Sequence, residues 1–159
     1  MTAETLFWSA LLSLAPISEL RGGIPFAVAS GVPLPAAAAW CAAWNALAGP
    51  LAYLFLNTAH RLLYRWAAYA SFFDRFVARA REKVRPSVEK YGYWGVALFV
   101  GIPLPFTGAW TGVLGAWMLG MGKRRSMLAV LAGVLMACVI VSLVVGFGVG
   151  ALSFLLKRF

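Results

Sequence analysis

The sequence predicts an all-α integral membrane protein, built as an inverted repeat of two re-entrant helical hairpins. Each hairpin is followed by a transmembrane helix, and an amphipathic interfacial helix lies between the repeats. First, 62% of the 159 residues are hydrophobic and only 12% are charged, whereas soluble domains carry about a quarter charged residues. Second, two apolar stretches long enough to span a bilayer alternate with two shorter ones that meet Pro/Gly-rich kinks. Third, the order of short stretch, Pro/Gly-rich kink and long stretch occurs twice along the chain. We expect residues 1–159 to form a single membrane domain, with repeat 1 at 5–57, the interfacial helix at 58–91 and repeat 2 at 92–156.

The net charge of +9 is distributed as in a membrane protein. Basic residues concentrate between Arg61 and Lys90 and again at 123–125, and both clusters border apolar segments. Cytoplasmic loops of membrane proteins carry such an excess of Lys and Arg. Nucleic-acid binding is not expected, because a basic footprint needs a soluble face to display it. The pattern predicts a multi-pass protein of the cell (inner) membrane, with residues 58–91 and 121–126 cytoplasmic.

Two apolar segments are too short to cross a bilayer. Thr5–Ala15 has eleven residues, and as a helix it rises about 16 Å, roughly to mid-bilayer. Tyr93–Ile102 is similar. Broken backbone at that depth is tolerated only inside protein or beside a watery cavity, so each segment is expected to return to the face from which it entered. The residues expected to form the turns are Pro16, Gly22, Gly23, Pro25, Pro103, Pro105, Gly108 and Gly112.

The two halves of the sequence superpose without a gap when one is shifted by 89 positions. The shift matches Pro16 with Pro105 and Gly31 with Gly120. Residues 36–56 provide one uncharged crossing between the hairpins, so the hairpins are expected to enter from opposite faces of the membrane. Inverted repeats of this kind place substrate sites near the midplane.

Residues 57–91 have the pattern of a basic amphipathic helix. Apolar side chains recur every three or four positions, and basic side chains mark the other side, which predicts a helix in the membrane interface. Pro86 is expected to end it. The alternative is a solvated helix packed on a partner protein, since the same stripe fits both. The residues expected to contact the lipid surface are Arg61, Arg65, Arg75, Arg79 and Lys83.

Glu19 and Arg21 are the strongest candidates for function. No other acid lies between Glu4 and Asp74, and no other base precedes Arg61. Ionisable residues inside a membrane are costly and usually functional; the alternative is a structural pair that holds the hairpin. Thr107 and Thr111 are hydroxyl donors that can also satisfy freed backbone, and Asn45 can also be an interhelical contact. The full set of expected substrate-binding or coupling residues is Glu19, Arg21, Thr107, Trp110, Thr111 and Asn45.

An enzyme is not predicted. The sequence offers no metal-binding histidine pair, no triad and no second intramembrane carboxylate to partner Glu19. Cys41 and Cys138 lack metal-ligand or redox spacing. We therefore expect no catalytic residues, no metal and no cofactor.

The strings Pro16–Pro25 (PISELRGGIP) and Gly101–Gly112 (GIPLPFTGAWTG) resemble the small multi-drug export protein family, over about residues 12–145. More distantly, the two proline-led hairpins are similar to the DedA/VTT superfamily of membrane proteins. That resemblance implies re-entrant hairpins, translocation of lipids or polyprenyl phosphates, and proton coupling through membrane acids and arginines. The chain departs from the superfamily in having no arginine between Pro103 and Gly120.

Three functions remain open. The first is a secondary transporter, with proton-coupled translocation of an anionic lipid (polyprenyl phosphate or phospholipid) or other amphiphile, in which Arg21 holds the anion and Glu19 carries the proton. The second is proton-coupled export of cationic drugs. The third is a non-transporting membrane assembly or scaffold protein. The expected partners are membrane lipids and a second copy of the chain in a homodimer.

Overall fold

The computed structural model describes residues 2–103 and 107–156, with the side chains of these residues except Arg61 and residues 149–156. The predicted turn residue Pro105 lies outside the described residues, as does the side chain of Arg61. Within the described ranges the chain is helical and contains no strand. The helices are α1 (Ala3–Leu14), α2 (Glu19–Ala29), α3 (Leu34–Ala46), α4 (Ala48–Asn57), α5 (Ala59–Leu63), α6 (Ala67–Tyr91), α7 (Tyr93–Gly101), α8 (Ala109–Met118) and α9 (Lys123–Leu156).

In the part of the chain that the structure describes, two helical stretches are long and apolar enough to cross a bilayer. They are Leu34–Asn57, formed by α3 and α4 in succession, and Lys123–Gly148 within α9. Large apolar side chains cover the outside of the bundle, and on α9 they include Leu128, Val139 and Phe147, the last 76% exposed. Extended apolar surface of this kind is uncommon on soluble monomers and suits a lipid environment.

The first helical pair reverses at residues 15–18, which include Pro16. There α1 ends at Leu14 and α2 begins at Glu19, and the two helices pack against each other. The prediction that Gly22, Gly23 and Pro25 form the turn is wrong, because all three lie inside α2. Gly23 instead permits close packing, since a Cβ there would collide with Ser13 Oγ on α1.

The second helical pair has its break further along the chain. α7 ends at Gly101, Pro103 lies in the break, and Gly108 caps the start of α8. The prediction that Gly112 is a turn residue is wrong, since it lies inside α8. A Cβ at this position would collide with Val100 Cγ2 on α7, so Gly112 also serves helix packing.

The two pairs end in the same local structure. Gly31 follows α2 with φ +86° and Gly120 follows α8 with φ +67°, conformations that glycine adopts at little cost. α2 and α8 end 89 positions apart, and so do the starts of α3 and α9. The matching hydrogen bonds join Val32 N–H to Ala27 O and Met121 N–H to Ala116 O, both at 3.0 Å.

Residues 58–91 form two helices rather than one, with a break at 64–66. Pro86 lies inside α6, so the prediction that it ends the helix is wrong. The helix continues to Tyr91, and Gly92, with φ +58°, ends it. The buried stripe of α6 faces α7 and α8 of the same chain, which accounts for the amphipathic pattern by internal packing. Its buried members are Phe73, Val77, Ala80 and Val84.

Candidate functional site

The carboxylate of Glu19 is buried at the N-terminus of α8. Only 6% of the residue is exposed. Its Oε2 accepts a hydrogen bond from Ala109 N–H (3.2 Å), and its Oε1 accepts one from Trp110 N–H (3.4 Å). The first N–H groups of a helix have no partner within the helix, and they favour an anion. An acid from the first helical pair therefore caps a helix of the second pair.

The Glu19 carboxylate packs directly against Gly108. A Cβ at position 108 would collide with Glu19 Cδ and with both of its carboxylate oxygens. Glu19 itself adopts the left-handed conformation, with φ +48°, which is unusual for a residue other than glycine. Positions 19 and 108 are 89 apart, so the two chain breaks touch at corresponding positions.

The C-terminal carbonyl groups of α1 are satisfied by side chains. Leu12 O accepts from Ser18 Oγ at 2.5 Å, Ser13 O from Asn45 Nδ2 at 2.7 Å, and Leu14 O from Trp110 Nε1 at 2.8 Å. The last carbonyls of a helix have no intrahelical donors, and inside a membrane such groups must find partners within the protein. Asn45 and Trp110 thus fasten α3 and α8 to the end of α1.

Arg21 also reaches across to the second pair, where its Nη2 donates to Thr107 O. The two threonine hydroxyls bond to local backbone: Thr107 Oγ1 donates to Ile102 O at 2.8 Å, and Thr111 Oγ1 donates to Gly108 O at 3.2 Å. These bonds satisfy carbonyls in the break between α7 and α8, the structural role left open by the sequence.

A small cavity adjoins the carboxylate. About 10 Å³ of it is open to the centre of a water molecule, so it holds on the order of one water. A ligand larger than a water therefore does not fit there unless the helices around the cavity move. Its lining residues are Glu19, Leu20, Arg21, Asn45, Val100, Pro103 and Ala137.

The structure brings together most of the predicted substrate-binding or coupling residues. Glu19, Arg21, Asn45, Thr107 and Trp110 meet where the two chain breaks touch, and Thr111 lies on the adjoining turn of α8. The predicted lipid-surface residues Arg65, Arg75, Arg79 and Lys83 are exposed along residues 65–83.

The sequence did not predict where the Glu19 carboxylate binds. It also did not predict which other residues line the cavity beside it. Val100, Pro103 and Ala137 line the cavity, and Gly108 was predicted only as a turn. The shift of 89 positions, which pairs Glu19 with Gly108, is the signal from which their contact could have been inferred. Within residues 2–103 and 107–156, no three His, Cys, Asp or Glu side chains lie close enough to hold a metal ion.

Replacing Trp110 with phenylalanine is expected to lower the free energy of unfolding by about 1–3 kcal/mol, because Leu14 O loses its donor. Thermal unfolding in detergent, followed by labelling of the buried Cys41 thiol, measures the change. Trp94→Phe is the matched control, since Trp94 is 74% exposed, and it should change little. Equal stability of the two variants would contradict the importance of the Trp110 bond.

The chain was compared with known protein families, curated proteins and solved structures. A family model described as "Putative small multi-drug export protein" matches residues 19–140, well over half of the chain. The matched region begins at Glu19 and includes Gly108, Ala109 and Trp110, which contact its carboxylate. No curated protein and no solved structure matches the chain significantly.

Proposed function

Because the chain belongs to the small multi-drug export protein family, we propose that it is a secondary transporter that couples movement of an anionic amphiphile to a proton on Glu19. Family membership and the two apolar helical stretches make it a membrane protein. The proposal adds that it catalyses no reaction, that its substrate is a lipid phosphate or a similar amphiphile, and that the site between the two helical pairs binds it.

In this proposal α1–α2 and α7–α8 are two re-entrant hairpins that enter from opposite faces. Helices of 12 and 9 residues, α1 and α7, rise only about 18 and 14 Å, less than the roughly 30 Å hydrocarbon core. Where a two-fold axis relates two units, equivalent residues meet at the axis. A contact between positions 89 apart, such as that of Glu19 with Gly108, is expected of such an axis and supports the proposed inverted repeat.

We further propose that residues 58–91 and 121–126 face the cytoplasm at the inner membrane. Their excess of Lys and Arg supports this orientation under the positive-inside rule. A homodimer is part of the proposal, because the extensive apolar surface of these short helices leaves room for a second copy as well as for lipid.

The observation that carries the proposal is the Glu19 carboxylate on the α8 N-terminus. When Glu19 is ionised, it occupies the backbone N–H groups of Ala109 and Trp110. When a proton neutralises it, these donors lose their anion, and they suit the phosphate or carboxylate of a substrate. Arg21, two residues along α2, adds positive charge beside them. Proton binding and anion binding are therefore coupled through the same two donors.

The experiment is reconstitution in liposomes with a fluorescent phosphatidic acid as the probe. The wild type should move the probe between leaflets faster under an imposed pH gradient. Glu19→Gln removes the proton site at nearly constant volume, so its rate should no longer respond to the gradient. Glu4→Gln is the matched control, since Glu4 is exposed in the first turn of α1. A gradient response in Glu19→Gln equal to that of the wild type would refute the proposal.

The family description favours a second candidate, proton-coupled export of cationic drugs. A buried carboxylate attracts a cation, whereas Arg21 beside it repels one. The same liposomes distinguish the two candidates when a cationic dye replaces the anionic probe. Drug export is supported instead if the gradient drives movement of the dye but not of phosphatidic acid, and if Glu19→Gln loses that movement.

A further inference from the structure

A second and much larger opening lies between α6 and α7. Its volume is about 440 Å³, within the range of sites that bind small molecules. It is separate from the small cavity beside Glu19 and shares none of its lining residues. The groove is lined by Lys83, Ser87, Tyr91, Leu98, Phe99, Ile102 and Thr107.

The two sides of this groove differ in chemistry. Lys83, Ser87 and Tyr91 are spaced four residues apart on α6, so they form one polar stripe along the helix. Leu98, Phe99 and Ile102 of α7 form the apolar side. A cation beside a mostly apolar wall is complementary to a molecule with an anionic head and a hydrocarbon chain.

The sequence around Lys83 strengthens this complementarity. Residues 74–90 of α6 contain six basic and three acidic side chains. Each basic residue near a membrane surface favours anionic lipid over neutral lipid. At a membrane surface, a helix of this charge attracts anionic lipid to the groove beside it.

One end of the groove adjoins the candidate site. Thr107 lines the groove, and its carbonyl oxygen accepts a hydrogen bond from Arg21. A lipid head group at Lys83 thus lies in the same groove as Thr107, which contacts Arg21. Near the start of α7 the two helices pack tightly, since a Cβ on Gly95 would collide with Ser87 O.

We propose that this groove binds a phosphate-bearing membrane lipid before transport, with its phosphate at Lys83 and one acyl chain along Leu98, Phe99 and Ile102. The inference rests on the proposed function and deepens it, because it adds a separate binding groove and an access route for the substrate. The lipid approaches sideways from the bilayer between α6 and α7, and the tip of the second hairpin is its next contact.

The test uses the whole protein in phosphatidylcholine nanodiscs that contain a phosphatidic acid with a photoreactive diazirine in its acyl chain. After irradiation, mass spectrometry locates the labelled residues. We expect labelling within 91–102. Lys83→Glu should lower that labelling about tenfold, because it replaces an attraction to phosphate by a repulsion. A diazirine phosphatidylcholine with the same chains should label the groove about tenfold less than the phosphatidic acid.

Arg81→Glu is the matched control. Arg81 is exposed on the same helix and does not line the groove, and its replacement changes the net charge equally, so labelling should change less than twofold. Leu98→Trp, which fills the groove without changing charge, should reduce labelling by both lipids, whereas Leu131→Trp on exposed α9 surface should not. Labelling spread evenly over α9 and the groove, or equal labelling of Lys83→Glu and wild type, would overturn the inference.

This experiment measures binding and not transport, so the two proposals can fail separately. If groove labelling depends on Lys83 but Glu19→Gln keeps the gradient response of the wild type, the lipid site is supported and the proton-coupled transporter is refuted. If the gradient response depends on Glu19 but the groove is not labelled, the transporter proposal is supported and this access route is refuted.

Discussion

Gly108→Ala is expected to lower the free energy of unfolding by at least about 3 kcal/mol and, under the proposed function, to abolish the pH-gradient response of transport. The added methyl group would occupy the space of the Glu19 carboxylate. Overpacking alone costs about 1–3 kcal/mol. Displacing the carboxylate also breaks its bonds to Ala109 and Trp110, and hydrogen bonds to charged groups contribute about 1.5–3 kcal/mol each.

A double-mutant cycle gives this prediction its sharpest form. If the harm arises from collision with the carboxylate, Gly108→Ala should be much less damaging in a Glu19→Ala background, because the colliding atoms are gone. The coupling free energy should exceed 1 kcal/mol, within the range measured for residues in contact. Thermal unfolding followed through the Cys41 thiol supplies the four stabilities. Additive effects would show that Glu19 and Gly108 do not touch in the folded protein.

The sequence predicted two hairpins that enter from opposite faces with a site between them, but not how Glu19 and Arg21 are partnered. The structural alternative in the sequence analysis was that these two residues form a pair that holds the first hairpin. The structure directs both across to the second helical pair, the carboxylate to backbone N–H groups and the guanidinium to the carbonyl of Thr107. Backbone donors belong to every residue except proline, so no pattern of side chains distinguishes those at the start of α8.

The fold was predictable where length and hydropathy decide it, and less so where packing overrides local preference. The short first arm and the position of Pro16 follow from the sequence. Pro86 and Pro25 were predicted to break the chain, yet both lie inside helices. A single proline costs an interior helix about 3 kcal/mol, and α6 offsets such a cost by burying its apolar stripe against α7 and α8.

Glycines posed the same difficulty, because one residue type serves both turns and close packing. Gly31 and Gly120 lie in turns with positive φ, as the shift of 89 positions suggested. Gly23 and Gly112 occupy helix interiors that face another helix. Only the neighbouring helix distinguishes the two uses, and sequence alone does not identify that neighbour.

Gly133 provides a test of this packing role, with a large expected effect on stability. α7 packs more extensively on α9 than any other two helices of the described chain do on each other. A Cβ at Gly133 would lie 2.6 Å from Val100 Cβ and 2.7 Å from Ala97 O. The second obstacle is backbone, which cannot rotate aside, so the helices must separate. Gly133→Ala is therefore expected to lower the free energy of unfolding by about 2–3 kcal/mol.

Gly148→Ala is the control for this prediction, because it makes the same substitution in the same helix. Nothing lies within 4 Å of a Cβ at Gly148, and alanine favours helix over glycine by up to about 1 kcal/mol. The control should match or slightly exceed the wild type in thermal unfolding, while Gly133→Ala falls well below it. If both variants gained stability, the effect of Gly133→Ala on the free energy of unfolding would reflect helix propensity alone. In that case α7 would not lie against α9 at this crossing. The second helical pair would then lack the support that holds Gly108 and the α8 N-terminus against Glu19.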